Sequence, residues 1–386
     1  MKHLNIFKKA LGFVVALVVL GVLPAAAQLS GTYTIGGTSP DYSTLSAAIS
    51  ALNSSGVSGP VTFMVRDGSY SGTTWRGQIN SITGASATNR VTFTSQSNDK
   101  TKVTITASTT SSADYVFRFN NANFVTVKNL TLQTSSSTYQ RMFEFMGQAS
   151  NDSVLNCVLN GKTTSTSSNY AALVYCYGFT GSDNVFMNNE FKQGGTWVYW
   201  RGSNTTNGPD NTTFTNNEFT ASSGYYGMYS YYTSNLRIIN NTMKRTGSGT
   251  YYAHYHYYPN NNFQFNNNTV EANATSTLYG IRTYFANYYS NSSTNTPEMH
   301  DNVFNLTNNT GTTYPLYTYY SRRMTYLDNT INVTQSRGYI RGYGPLYYND
   351  KSRATGNTFN YKITSTSSSY VYNQYMCYNG ANWADT

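Results

Sequence analysis

Two histidines stand close together in the 386-residue chain, at positions 254 and 256. In an extended strand, residues two apart point to the same side, so both imidazoles would lie on one face. Such a pair can bind a metal weakly or supply a base. A strong zinc site needs further ligands at defined spacing, and the sequence offers none. We therefore predict neither a metal site nor a cofactor.

The sixteen acidic residues are scattered along the chain. Hydrolysis of a glycosidic bond uses two neighbouring carboxyl groups, and elimination uses calcium-binding carboxylates together with a basic residue. Neither arrangement is visible, since Asp152, Asp183, Asp301 and Asp328 each stand beside a separate predicted turn. The sequence therefore identifies no catalytic residue and does not favour an enzyme.

Tyrosine is the residue type that most clearly marks a candidate surface. The 37 tyrosines fall largely in one segment before each turn of a repeat, as in Tyr229-Ser230-Tyr231 and Tyr317-Thr318-Tyr319. Because successive side chains of a strand point to opposite faces, we predict that the aromatic residues face outward. Counting back from each turn also places Phe179 outward. The residues predicted to face inward are Met228, Ser230, Leu316 and Thr318.

Arginines on or beside the same segments complete a candidate binding face. The predicted face consists of Tyr177, Trp200, Arg201, Tyr229, Tyr231, His256, Tyr258, Arg282, Tyr317, Tyr319, Arg322 and Tyr347.

Three interpretations of this face remain open. It could bind polysaccharide, since tyrosine offers flat rings with a hydroxyl and arginine makes bidentate contacts to carboxylate or sulfate. It could pair with a second copy of the chain, because a long aromatic stripe is an exposed patch. It could also only stabilise a sheet by stacking. Stacked aromatics can bind single-stranded nucleic acid, but the secretion signal described below argues against that partner.

The turns themselves carry a repeated Asn-Asn-x-apolar motif. Aligned on the second residue of the pair, neighbouring copies are 24 to 34 residues apart, a period typical of solenoids. No charged residue occurs three positions before or two positions after the aligned residue, so both columns read as stacked core. We interpret the asparagines as structural, since asparagine tolerates left-handed backbone and stacked amides form ladders. The aligned residues are Leu130, Cys157, Asn189, Asn217, Asn241, Asn268, Asn302, Asn329 and Asn357.

The N-terminus resembles a secretory signal peptide. Three lysines precede the apolar run 11–23, and small residues follow up to Ala27. This run is shorter than the roughly 20 residues that a membrane span requires. Removal of residues 1–27 would lower the net charge from +9 to +6, because the segment contains three lysines and no acidic residue. The remaining cysteines (Cys157, Cys176 and Cys377) have no paired spacing and apolar neighbours, so we predict buried thiols.

Residues 28–60 are predicted to form an N-terminal cap, and residues 61–386 the repeats. Within the cap, the segment 41–52 has apolar residues at Leu45, Ala48, Ile49 and Leu52, the spacing of an amphipathic helix. A solenoid needs its apolar end covered, which gives this helix its expected role.

These features resemble a known family. The runs GTYTIGG (31–37), DYSTLSAAI (41–49) and VTFMVRDGSY (61–70) are similar to the cap and first turn of secreted bacterial β-helix proteins of the pectin-lyase-like superfamily, common in Bacteroidetes-type bacteria. The resemblance covers nearly the whole mature chain and implies an all-β, right-handed parallel β-helix with a short amphipathic capping helix. Members include lyases, hydrolases, esterases and non-catalytic surface proteins, and their catalytic motifs have no counterpart here.

The sequence therefore predicts a secreted or cell-surface protein that binds polysaccharide, anionic by preference, or mediates adhesion, without catalysis. One alternative is a lyase or glycoside hydrolase with an atypical site formed by tyrosine, His256 and Arg282. In that case the loops 161–169, 201–211 and 288–296 would wall a groove. The other alternative is a self-assembling structural protein.

Overall fold

The structure is a computed structural model, and it describes residues 27–164, 167–287, 295–342, 352–365 and 369–372. The predicted signal peptide (except Ala27), Tyr347, Cys377 and most of the 288–296 loop lie outside these ranges. No helix among the described residues is long and apolar enough to cross a membrane.

The chain forms a parallel β-solenoid of three sheets, in which each turn contributes one strand to each sheet. Sheet 1 contains β1 (Leu29–Ile35), β2 (Val57–Val65), β5 (Val91–Ser95), β8 (Val125–Lys128), β11 (Ser153–Leu155), β14 (Val185–Met187), β17 (Thr213–Thr215), β20 (Arg237–Ile239), β23 (Gln264–Asn266), β26 (Glu298–His300), β29 (Thr325–Leu327) and β32 (Arg353–Thr355).

Sheet 2 contains β3 (Gly68–Gly72), β6 (Val103–Ala107), β9 (Thr131–Thr134), β12 (Val158–Asn160), β15 (Glu190–Lys192), β18 (Glu218–Ala221), β21 (Thr242–Arg245), β24 (Thr269–Ala274), β27 (Val303–Asn308), β30 (Thr330–Gln335) and β33 (Thr358–Ile363).

Sheet 3 contains β4 (Gly77–Ile79), β7 (Tyr115–Asn120), β10 (Arg141–Met146), β13 (Ala172–Tyr177), β16 (Thr196–Arg201), β19 (Tyr226–Ser234), β22 (Tyr251–Asn260), β25 (Leu278–Tyr284), β28 (Thr312–Tyr319), β31 (Gly338–Arg341) and β34 (Ser369–Tyr372).

One α-helix, α1 (Leu45–Ser55), occurs among the described residues. The Thr44 side chain caps it by accepting the Ala47 N–H, and Gly56 ends it with a positive φ of 65°. Ile49 packs so closely on Gly77 that a Cβ there would lie 2.5 Å from the isoleucine Cδ1. The helix buries its apolar face against the first turn, and β1 pairs parallel with β2, so the cap continues sheet 1. A short 3-10 helix, Asn169–Ala171, precedes β13.

The asparagine turns connect sheet 1 to sheet 2. The first residue of each pair has a positive φ between 51° and 69°, whether it is asparagine, aspartate or glycine. From Asn189 to Asn329 the second is a buried asparagine, and its side-chain oxygen accepts the backbone N–H of the equivalent residue one turn earlier, at 2.9 Å from Asn189 to Asn217 and from Asn217 to Asn241. Asn357 accepts the Asn329 N–H in the same way but is only partly buried. The predicted structural role of these residues is confirmed.

The core lies between the three sheets. The two predicted apolar columns are buried from Val127 and Leu132 through Tyr326 and Ile331, and only the last copies, at Ala354 and Phe359, are exposed. Cys157 and Cys176 are buried free thiols, as predicted.

Candidate functional site

The outer face of sheet 3, which we call the tyrosine face, carries three rows of aromatic residues along the solenoid axis. Strand pairing aligns row 1 through Tyr175, Tyr199, Tyr229, Tyr255, Arg282 and Tyr317. Row 2 is Tyr177, Arg201, Tyr231, Tyr257, Tyr284 and Tyr319. Row 3 is Tyr226, Tyr252, Tyr279 and Tyr314.

Rows 1 and 3 are separated by two successive inward residues. Gly227 and Met228 are both buried between Tyr226 and Tyr229, and the following turns have buried pairs at the same place, namely Ala253-His254, Gly280-Ile281 and Pro315-Leu316. Strict alternation would send one of the two flanking tyrosines into the core. The irregularity therefore puts three aromatic residues, not two, on the outer face of β19, β22 and β28, and two tyrosines with Arg282 on that of β25.

The rings stack on one another from turn to turn. Tyr199 and Tyr229 lie 4.7 Å apart at 9°, and Tyr229 and Tyr255 lie 5.1 Å apart at 3°. In row 3, Tyr279 and Tyr314 lie 4.5 Å apart at 5°. Near-parallel rings at this spacing cover each other's faces. What the face offers to a ligand is ring edges and phenol hydroxyls, and not the flat ring surfaces that the sequence analysis assumed.

Two arginines are inserted into the rows. The Arg201 guanidinium lies 4.7 Å from the ring centroid of Tyr177 and 4.8 Å from that of Tyr231. The Arg282 guanidinium lies within 5.7 Å of five tyrosine rings, which belong to Tyr252, Tyr255, Tyr279, Tyr284 and Tyr317. Both cations are held in place by ring quadrupoles. Arg282 also donates hydrogen bonds to the Tyr284 hydroxyl.

No described carboxylate forms an ion pair with Arg201 or Arg282. Six successive strands of sheet 3, namely β13, β16, β19, β22, β25 and β28, contain no acidic residue. The face is therefore locally positive.

Along the described strands of sheet 3, acidic residues occur only beside the N-terminal end of row 1, near Tyr175. Arg141 contacts Glu144 and Asp114, each at 2.7 Å, and Arg118 pairs with the same two carboxylates. The Arg141 guanidinium also lies 3.5 Å from the Tyr175 ring centroid. These two arginines and two carboxylates neutralise one another, so this cluster closes the row without adding net charge.

Burial keeps several phenols of the face protonated at neutral pH by raising their pKa. Burial raises the pKa of Tyr175 and Tyr255 to about 12, and it raises the pKa of Tyr226, Tyr229 and Tyr279 as well. Neutral phenols donate and accept hydrogen bonds but do not remove protons from a substrate at this pH.

The structure brings seven predicted residues together on the tyrosine face. These are Tyr177, Arg201, Tyr229, Tyr231, Arg282, Tyr317 and Tyr319. The four residues predicted to face inward, from Met228 to Thr318, are indeed buried.

The predictions for Trp200, His256 and Phe179 were wrong, because all three are buried in the core. Trp200 pairs with inward-facing Ser230. His256 Nδ1 lies 2.8 Å from Ser230 Oγ, and burial lowers the pKa of this imidazole to about 3. It is neutral and out of contact with solvent, so it cannot act as a surface base.

The inward facing of His256, where the sequence analysis predicted an outward one, has a simple cause. Three residues separate Asn260 from Gln264, whereas two separate their partners Ser234 and Arg237 in the preceding turn. Counting back from the asparagine turn therefore misses the register by one residue, and a slip of one exchanges the two faces of a strand.

Two further predicted residues lie beside the face. Tyr258 lies near the end of β22, where it stacks between Tyr232 and Phe285, and Arg322 lies in the turn after β28. Tyr255 and Tyr284, which the sequence analysis missed, follow from aligning the strands on a tyrosine followed by glycine, alanine or proline, at Tyr226, Tyr252, Tyr279 and Tyr314. Tyr199 does not follow from this motif, because Thr196 stands at that place in β16.

The described residues contain no group of three or more His, Cys, Asp or Glu side chains that could hold a metal ion. The fold and this face define a class of protein: a parallel β-solenoid with one cationic, tyrosine-lined sheet. No family model matches the chain, and no curated protein is similar to it in sequence.

Solved structures similar to the chain share its solenoid architecture at low identity. Pectin methylesterase from Aspergillus niger is 13% identical, with a TM-score of 0.43 and coverage of 86% of this chain and 87% of that one. A rhamnogalacturonan lyase is 10% identical, with a TM-score of 0.45 and coverage of 89% and 87%. PfbA, a surface adhesin of Streptococcus pneumoniae, is 13% identical, with a TM-score of 0.41 and coverage of 84% and 89%.

Proposed function

We propose that this chain is a secreted or cell-surface protein that binds anionic polysaccharide along the tyrosine face without cleaving it. The observation that carries the proposal is the placement of Arg201 and Arg282 among tyrosine rings, with no carboxylate on the same strands. Each arginine keeps its charge, and each lacks a described counter-ion.

The chemistry of the face suits a linear anionic glycan. Guanidinium groups bind carboxylate or sulfate strongly, and phenol hydroxyls can exchange hydrogen bonds with sugar hydroxyls. The rows repeat these groups from turn to turn, at ring spacings of 4.5 to 5.5 Å. A polymer that runs along the solenoid axis would therefore meet the same donors and acceptors repeatedly.

Absence of catalysis is part of the proposal. The described strands from β13 to β28 in sheet 3 carry no carboxyl pair, burial raises the pKa of phenols such as Tyr229 and Tyr255, and His256 is buried. An enzyme with an atypical site would have to work with tyrosine and Arg282 alone. Self-association through the same face is the other competing function, and the experiment below separates all three.

The test uses the mature chain with immobilised alginate, polygalacturonate, a sulfated glycan and an uncharged glycan. We expect retention on the anionic polymers that weakens as salt rises. Arg282→Gln and Arg201→Gln should each weaken binding about tenfold, the loss of one charge-assisted contact. Arg282→Lys separates charge from geometry. The matched control is Arg237→Gln, which removes a cation from sheet 1.

Three results would count against this function. Equal retention of wild type and Arg282→Gln would remove the tyrosine face from binding. New reducing ends or unsaturated uronates would establish an enzyme. A concentration-dependent oligomer that dissociates on Arg282→Gln, without glycan binding, would assign the face to self-association.

A further inference from the structure

A cleft of about 520 Å³ opens beside the tyrosine face, at the turn from sheet 3 to sheet 1. Its walls are the loop after β16 and the ends of β19 and β22. The lining residues are Thr205, Thr206, Gly208, Asp210, Tyr232, Thr233, Ser234, Asn260 and Asn261. Pockets that bind small molecules typically measure about 300–1,000 Å³.

The aromatic wall of the cleft is Tyr232, which begins a column of four stacked aromatic rings at the ends of the sheet 3 strands. Tyr232, Tyr258, Phe285 and Tyr320 follow one another at centroid distances of 4.7 to 5.2 Å. All four have a positive φ between 51° and 55°. A bulky residue in this conformation is an outlier that costs roughly 1–3 kcal/mol, and such outliers cluster at functional sites.

The column stops at Tyr232. One turn earlier, Arg201 pairs with Tyr231, so the residue in the next column position is Gly202, and in the turn before that it is Gly178. Neither has a side chain. Among the described residues, Tyr232 therefore has a stacked ring on one side only, since its chain neighbour Tyr231 is tilted at 45°. The loop after β16 fills the space directly over Gly202, where a Cβ would lie 2.3 Å from Gly208 Cα, so a flat ligand ring would reach Tyr232 from the open side of the cleft.

The loop after β16 is built to face this ring. Asn204 Oδ1 accepts the N–H groups of Thr206 and Asn207, which fixes a tight turn. A Cβ on Gly208 would lie 1.7 Å from the Tyr232 carbonyl oxygen, so only glycine lets the loop approach so closely. The two threonines of the loop are thereby placed opposite the aromatic wall.

The polar lining favours hydroxyl groups over anions. Asp210 is the one charged residue among the lining residues, and Asn235 donates to its carboxylate at 2.8 Å. Threonine, serine and asparagine side chains supply the rest. Thr233 and Asn260 are more than nine-tenths buried, and Thr233 Oγ1 and Asn260 Oδ1 have no contact with solvent, so these two oxygens lie behind the cleft surface. The groups open to a ligand belong to the other lining residues.

We propose that this cleft binds an uncharged sugar unit, stacked on Tyr232 and hydrogen-bonded by the surrounding hydroxyl, amide and carboxylate groups. Aromatic stacking with sugar-hydroxyl contacts is the chemistry that the cleft presents. The site is distinct from the tyrosine face, because it contains neither Arg201 nor Arg282 and its only charge is negative.

The test is a titration of the mature chain with uncharged oligosaccharides (cello-, xylo- and galacto-hexaoses) and with oligogalacturonate. Tyr232→Asn removes the ring while asparagine tolerates the same left-handed backbone. The matched control is Tyr258→Asn, one turn further along the column. We expect Tyr232→Asn to lower affinity for an uncharged hexaose about tenfold and Tyr258→Asn to lower it less than twofold. Arg282→Gln should leave this affinity unchanged.

Each other outcome overturns the proposal. Failure of all three uncharged hexaoses to bind, or equal losses in the two tyrosine variants, would exclude the cleft. Binding of an uncharged hexaose that depends on Arg282 rather than Tyr232 would move the ligand to the tyrosine face. Oligogalacturonate binding depends on Arg201 and Arg282 and not on Tyr232, so the failure of this site and the failure of the proposed function remain distinguishable.

Discussion

Replacing Asn241 with alanine tests the buried asparagine ladder directly. The Asn241 side chain accepts the backbone N–H of Asn217 at 2.9 Å and donates to the Phe214 carbonyl at 3.0 Å, and it is almost fully buried. In Asn241→Ala, the Asn217 N–H loses its acceptor in the core and the Phe214 carbonyl loses a donor. An unsatisfied buried group costs about 1–3 kcal/mol, so we expect a loss of about 3 kcal/mol.

The matched control is Asn332→Ala on the outer face of sheet 2. Asn332 also belongs to a stack of amides, since it donates to Asn305 and accepts from Asn360 at 2.8 Å each. These groups can bond to water when the partner is removed, so the expected cost is below about 1 kcal/mol.

The assay is urea unfolding followed by tyrosine and tryptophan fluorescence, with the slope of the transition compared between variants. Equal slopes license a comparison of midpoints, whereas a changed slope reports a partly unfolded array. If Asn241→Ala and Asn332→Ala shift the midpoint equally, burial of the ladder does not contribute to stability and the reasoning above is refuted.

Three further predictions concern stability. Burial lowers the pKa of His256 to about 3, so below about pH 6.5 the unfolded chain binds a proton that the folded chain does not, and stability falls as the pH drops. His256→Gln should make the urea midpoint depend less steeply on pH in this range, and an unchanged slope contradicts the prediction. Burial raises the pKa of Asp152 well above its usual value, so stability is lost as pH rises above about 3.8. Asp152→Asn should therefore raise the urea midpoint at pH 7, and a lower midpoint refutes the raised pKa. Thr44→Ala should cost about 1 kcal/mol in the same assay by removing the cap of α1, whereas Thr44→Ser should not, and equal costs would deny the cap.

The fold could be predicted from sequence because the turns impose local requirements. The first residue of each pair must adopt a left-handed backbone, and the second must both accept and donate hydrogen bonds inside the core. Asparagine meets both conditions, so Asn188-Asn189 and its repeats can each be recognised from the local sequence of a single turn.

The facing of sheet 3 could not be predicted in the same way. It depends on how many residues the next turn contains and on where two inward residues succeed one another. Because of the additional residue between Asn260 and Gln264, His256 lies one position away from where the count from the turn places it, and it faces inward. The inward pair before Tyr229 leaves Tyr226 on the surface. Ring orientation was also invisible, because it follows from stacking between strands that lie far apart in sequence.

The asparagine ladder has a direction. Each buried amide completes the turn before its own: Asn241 serves Asn217, Asn268 serves Asn241, and Asn302 serves Asn268. During synthesis from the N-terminus, the most recent turn therefore lacks its ladder bonds. Each coil completes these bonds only when the next coil has formed against it. The last ladder bonds of each coil are therefore supplied by residues that are synthesised after it.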